Sequence, residues 1–219
     1  MSNTTTRLHW LPTPSSYVSL LILLITITIG WLLPPSYGDE NGLVEWTQVG
    51  VLTLAALIAL CAFWQTRLAA PRRKLYTLSS VGILLAVARE LSWGRDFYMT
   101  NSGYIPPLRQ LWFGAYVYPA IALVLIGAIS YFFWQGLHKE FIGWLRRDKL
   151  PAFDLAVVLI AIIIADTIEH HSFGFFGART ELFEELWELA SYTGVLSFMS
   201  NIVFNTKFSP QTETNKKED

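Results

Sequence analysis

Six apolar runs, each of membrane-crossing length, divide this 219-residue chain and leave little sequence between them. They lie at about Tyr17–Leu33, Val44–Trp64, Leu75–Trp93, Leu111–Trp134, Phe153–His171 and Leu182–Phe204. At 1.5 Å per residue, about 20 residues cross the ~30 Å of bilayer hydrocarbon. Composition agrees. The chain is 53% hydrophobic and 15% charged, where a soluble domain carries about 25% charged residues. The expected fold is all-α: a polytopic bundle of six transmembrane helices over residues 17–204. A flexible tail over 1–16 precedes it and a polar, disordered tail over 205–219 follows. A cleaved signal peptide is the competing reading of the first run. Its basic start is weak, no A-x-A-like site precedes Pro34, and five further runs follow. The net charge of −1 gives no basic field for nucleic acid. Cys61 is the lone cysteine, so no disulfide forms within the chain.

Loop cations orient the bundle, because Lys and Arg concentrate on the cytoplasmic side. With the N-terminus inside, the inner segments hold Arg7, Arg67, Arg72, Arg73, Lys74, Lys139, Arg146, Arg147, Lys149, Lys207, Lys216 and Lys217. The outer loops hold only Arg95, Arg109 and Arg179. Both termini are therefore expected to be cytoplasmic in a multi-pass protein of the inner or plasma membrane. Tryptophans favour the two interfaces. Trp31, Trp46, Trp93, Trp112 and Trp187 fall near outer ends, and Trp10, Trp64, Trp134 and Trp144 near inner ends.

With this topology the charges inside the spans gather on the outer side. Asp166, Glu169 and His170 close the fifth span, spaced i, i+3, i+4 on one helical face. Glu181, Glu185, Glu188 and Tyr192 form a stripe on the sixth, while Glu45 opens the second. Arg89, Ser92 and Asp96 make a third stripe at the end of the third span. Glu90 lies about 100° round from Arg89. A charge near a helix centre costs about 2.5–3.5 kcal/mol in a bilayer, so several together call for mutual compensation, a metal or a substrate. The bland alternative is a salt-bridge and cap network. Glu181 and Glu184 suit the positive end of the sixth helix, with Thr180 as its N-cap. Asp166, His170, Glu185 and Glu188 are the candidate metal ligands, since one Arg89 does not balance three deep carboxylates. Oxygen and imidazole donors suit Zn²⁺, Mn²⁺ or Fe²⁺. The paired Glu-x-x-His of di-iron bundles and His-Glu-x-x-His are both missing.

Two segments resemble a family of small bacterial polytopic membrane proteins of uncharacterised activity. Glu40-Asn41-Gly42-Leu43-Val44-Glu45-Trp46 is similar to its E-[DN]-G-x-x-E-W segment, and Glu90-Leu91-Ser92-Trp93-Gly94 to its E-[IL]-S-W-G segment. The resemblance covers about residues 40–96. It implies a polytopic membrane fold and draws attention to Glu45, Glu90 and Trp93. A looser similarity of design links the chain to alkaline-ceramidase-like membrane hydrolases, whose three zinc histidines are not matched here.

Three functions compete. One is an intramembrane metal-dependent or acid–base enzyme, a hydrolase or transferase acting on a membrane lipid headgroup. Glu90 would be its general base, and Arg89 or Arg95 would hold a phosphate. Another is a proton- or ion-coupled transporter, which needs polar groups continuing inward. The last is a non-enzymatic subunit docking a membrane-protein partner, with Gly50, Ala55, Ala56 and Ala59 allowing close helix approach.

Overall fold

Apolar runs punctuated by Pro, Gly and polar turns fold as helices, which pair each backbone group within its own segment. The computed structural model describes residues 8–9, 13–65, 68–100, 103–147, 150–171 and 175–205. It is all-helical except for one two-residue parallel bridge between Leu8–His9 and Leu150–Pro151. Seven helices are present among these residues: α1 Pro14–Leu32, α2 Leu43–Cys61, α3 Ala70–Glu90, α4 Gly114–Trp134, α5 Leu137–Arg147, α6 Ala152–His170 and α7 Thr180–Phe204. Most of both expected tails, and the loop cations Arg7, Arg67, Lys149, Lys207, Lys216 and Lys217, lie outside the described residues, as does Trp10.

Three stretches are long and apolar enough to cross a membrane by length and composition: Pro14–Leu32, Pro35–Trp64 and Gly114–Trp134. Helices α3, α6 and α7 have 21, 19 and 25 residues, so length is not their obstacle. Their polar content is: Arg72, Arg73, Lys74, Arg89 and Glu90 on α3, Asp154, Asp166 and Glu169 on α6, and four glutamates on α7. Helix α7 can carry such groups because protein surrounds it. It packs against α1, α2 and α6 and is buried along most of its length. Ala55, Ala56 and Ala59 of α2 are at most 1% exposed, so these small residues serve contacts within the chain.

The connection between the fourth and fifth expected spans contains a helix of its own, α5. Leu137 and Trp144 are buried, while Lys139 is exposed, which is the pattern of an amphipathic helix. Arg72 Nε donates to Glu140 Oε1 at 2.7 Å and Lys74 Nζ to Gln135 Oε1 at 2.9 Å, tying α3 to the α4–α5 corner.

At the other end, Arg179 Nη1 donates to the carbonyls of Gly30 and Leu33, taking two of the acceptors that α1 leaves unpaired as it ends. Beside it Trp31, Phe175, Phe176 and Phe183 stack together. Gly38 is fixed by packing: a Cβ there would run into the backbone of Leu182. A Cβ at Gly50 would meet nothing. Gly38→Ala is therefore expected to lower stability by about 1–3 kcal/mol through overpacking, read as a lower melting temperature in detergent, while Gly50→Ala leaves it unchanged or higher.

Candidate functional site

Each of the two motif segments builds a turn. Asn41 takes a left-handed φ of 62°, tolerated best by Gly, Asn and Asp. Its backbone N–H donates to Glu45 Oε2, and Trp46 Nε1 donates to Asn41 Oδ1 at 2.6 Å. Glu45 thus reaches back from the first turn of α2 to the Asn41 amide, one residue before the Gly42 cap, and fixes the turn that leads into the helix. The second segment ends α3. The helix stops at Glu90, and Ser92, Trp93 and Gly94 all have positive φ. The expected helical stripe Arg89–Ser92–Asp96 is therefore broken: Gly94 admits φ 86°, and the left-handed turn re-aims the chain. Asp96 is buried at the far side of that turn, hydrogen-bonded by Ser92, with Oδ1 lacking a partner among the described residues. Thr180 also differs from expectation. It is the first residue of α7, and its hydroxyl donates to Gly177 O at 2.9 Å rather than capping the helix.

The candidate ligands fall into two groups. Asp166, Glu169 and His170 do share one face of α6, and His170 Nδ1 lies 3.4 Å from Asp166 Oδ1 and 3.7 Å from Glu169 Oε2. All three are exposed, with side chains 72%, 53% and 60% accessible. Glu185 and Glu188 of α7 instead meet Glu90 from α3. Each of these three offers a carboxylate oxygen within 4.8 Å of the other two. The proposed foursome of Asp166, His170, Glu185 and Glu188 is thus divided between a surface triad on α6 and an interior triad between α3 and α7.

The interior triad is the better built. Glu90 is 7% exposed and the Glu188 side chain 12%. Tyr192 Oη, one turn below Glu188, donates to Glu90 Oε1 at 2.8 Å. Gln48 of α2 is fully buried, and its Nε2 donates to Glu185 Oε2 at 2.7 Å and to the Glu185 carbonyl at 2.8 Å. Its own Oε1 has no partner among the described residues. Arg89 Nη2 donates to Glu188 Oε1 at 3.0 Å, and Arg89 Nε stands 3.9 Å from Glu90 Oε1. The 100° between Arg89 and Glu90 resolves by length. The short acid points inward, and the long guanidinium reaches round from a side chain 57% exposed. Arg95 is engaged elsewhere, donating to Pro106 O at 2.9 Å.

A second buried carboxylate lies at the opposite end. Asp154, in the first turn of α6, is 0% exposed. Ser197 Oγ donates to its Oδ1 at 2.8 Å and Asn201 Nδ2 to its Oδ2 at 2.6 Å. The same Asn201 amide reaches Thr13 Oγ1, the N-cap of α1. The sequence carried a partial signal for this: Ser197 and Asn201 are polar and spaced i, i+4 in the last run, which also holds Ser191, Thr193 and Ser200, and Asp154 starts the run before it.

Burial pushes the Asp96 carboxyl above its ordinary range, and the Ser92 hydrogen bond offsets only part of that. A carboxyl with a raised folded pKa stabilises the fold in acid and loses that contribution as pH rises through the raised value. Asp96→Asn is therefore expected to melt higher than wild type at neutral pH, with the gap closing toward acid in a thermal-shift series.

Comparison with family models, curated proteins and solved structures returned no match to this chain.

Proposed function

We propose that the chain is a multi-pass membrane protein with both termini inside, and that it hydrolyses or transfers a lipid headgroup at the outer leaflet through a cation held by Glu90, Glu185 and Glu188. Helices α3, α6 and α7 would then join α1, α2 and α4 as spans, with α5 lying along the inner interface. The observation that carries this reading is the convergence of three carboxylates within 4.8 Å beside a single guanidinium. Ionised together, the three acids with Arg89 would leave two negative charges in a low-dielectric interior, where unbalanced charge is expensive. A divalent cation cancels them. The donors are oxygens only, with the Gln48 amide oxygen unpartnered and its amide nitrogen already on Glu185. Such a set suits a hard ion. Of Zn²⁺, Mn²⁺ and Fe²⁺, the ions a mixed oxygen and imidazole set would take, Mn²⁺ fits the interior triad best. Arg89 is the candidate phosphate clamp, since its guanidinium has N–H donors left after pairing with Glu188, and Glu90 is assigned to the cation rather than to the role of general base.

Metal content of the detergent-purified protein tests this. About one equivalent of Mn²⁺ per chain is expected in wild type, lost in Glu188→Gln and retained in His170→Ala. Wild-type protein that takes up no divalent cation after incubation with excess Mn²⁺ would sink the reading.

Asp154 favours a second reading, a proton- or ion-coupled transporter. It supplies a buried carboxylate at the inner end, where a conduit would have to continue. If transport is the function, ion flux into proteoliposomes disappears in Asp154→Asn as well as in Glu188→Gln. If the lipid-headgroup reading holds, Asp154→Asn leaves headgroup release from outer-leaflet lipid within about threefold of wild type, or about 0.65 kcal/mol.

A further inference from the structure

Helix α4 is held at its two ends and open between them. At its outer end Phe113 stacks on Tyr98 at 5.6 Å, and Trp112 Nε1 donates to Tyr98 Oη. At its inner end Lys74 binds Gln135, and Phe132 meets Phe141 of α5. Between Pro119 and Tyr131 every α4 side chain is exposed or half-buried. Facing it, α3 presents Leu75, Leu78, Ser79 and Gly82, which line a largely apolar cavity of about 280 Å³ with Phe132 and Phe141. Gly82 is exposed, and a Cβ added there would meet nothing within 4 Å. At 100° per residue the same α3 face continues through Ala86 to Arg89. Arg89 therefore starts from the outer end of this face, whose inner end is floored by Phe141, and its half-exposed side chain turns from there toward Glu188.

We infer that the slot between α3 and α4 holds the hydrocarbon chain of one membrane phospholipid, with its phosphate at Arg89. The groove is open rather than enclosed and its lining is almost wholly apolar, which suits an extended alkyl chain. Length argues for a lipid of the outer leaflet. Ser79, at the middle of the cavity, lies ten residues and so about 15 Å below Arg89, which is half of the ~30 Å hydrocarbon thickness. Charge complementarity fixes the direction of the chain: Arg89 is exposed enough to meet a phosphate while still paired with Glu188. The headgroup half of this inference rests on the lipid-headgroup reading above, and a cation on the triad offsets the carboxylates that a phosphate would otherwise face. The chain half stands without it.

A phosphatidylglycerol carrying a diazirine at the end of one acyl chain, in nanodiscs of phosphatidylethanolamine and phosphatidylglycerol, is the probe. After irradiation, labelling is expected to concentrate on residues 75–82 and 132–141. It should fall at least about fivefold, or about 1 kcal/mol, in both Gly82→Phe and Ser79→Phe. Labelling of the outward face of α1 should not change. Arg89→Gln should weaken capture of this probe but not of a diacylglycerol with the same photoreactive chain. Labelling spread evenly over α1, α2 and α4, and unaltered by the two phenylalanine variants, would overturn the inference. Mn²⁺ content measured in the same preparations separates the two claims. Focused labelling without metal keeps the slot and removes the cation site. Metal without focused labelling does the reverse.

Discussion

A carboxylate taken out of water has to be matched by hydrogen bonds and by positive charge, and the deep carboxylates of this chain meet that demand through α7. Its Glu188 is tied to Arg89, its Glu185 to Gln48, and its Tyr192 to Glu90, so one face binds α2 and α3 through side chains. Another face binds α6 and α1 through Ser197 and Asn201, both on Asp154, and through a hydrogen bond from Ser19 to the Thr193 carbonyl. Apolar packing alone discriminates poorly among helices in lipid, where the surroundings are as apolar as the contact. These polar groups give α7 distinct faces for distinct neighbours. They also explain why the most buried helix is not among the most apolar stretches.

The same demand separates the two acidic groups by kind. Asp166, Glu169 and His170 project from the end of α6 and are accessible to solvent, so none of them needs a partner in order to stay charged. Glu90, Glu185 and Glu188 lie between helices and do need one. A surface triad with an imidazole resembles a metal site on paper, but the interior triad is the one whose charge is buried.

Much of the helical layout could be read from the apolar runs, because run length and Pro or Gly punctuation bound a helix directly. The i, i+3, i+4 face of Asp166, Glu169 and His170 was legible for the same local reason. What was not legible depends on how helices face one another. Nothing local distinguishes Glu185, which turns toward Gln48, from Asp166, which turns outward. The end of α3 at Glu90 was hidden because Leu91, Ser92 and Trp93 read as a continuing helix, and only Gly94 hints at the left-handed turn. Helix α5 was obscured by its brevity and its charges. Asp154 drew no attention in the sequence, because its partners Ser197 and Asn201 lie on another helix.

Arg89 and Glu188 meet as an ion pair between α3 and α7, and the cluster of buried acids depends on that pairing. Exchanging the two charges tests it most directly. Arg89→Glu and Glu188→Arg should each lower thermal stability by at least about 1 kcal/mol, or roughly 2–4 °C for a chain of this size. The double exchange should recover most of that loss, because it restores one cation among the same number of acids. A double variant no more stable than the sum of the two single losses would show that the pair is not coupled, and would contradict the account.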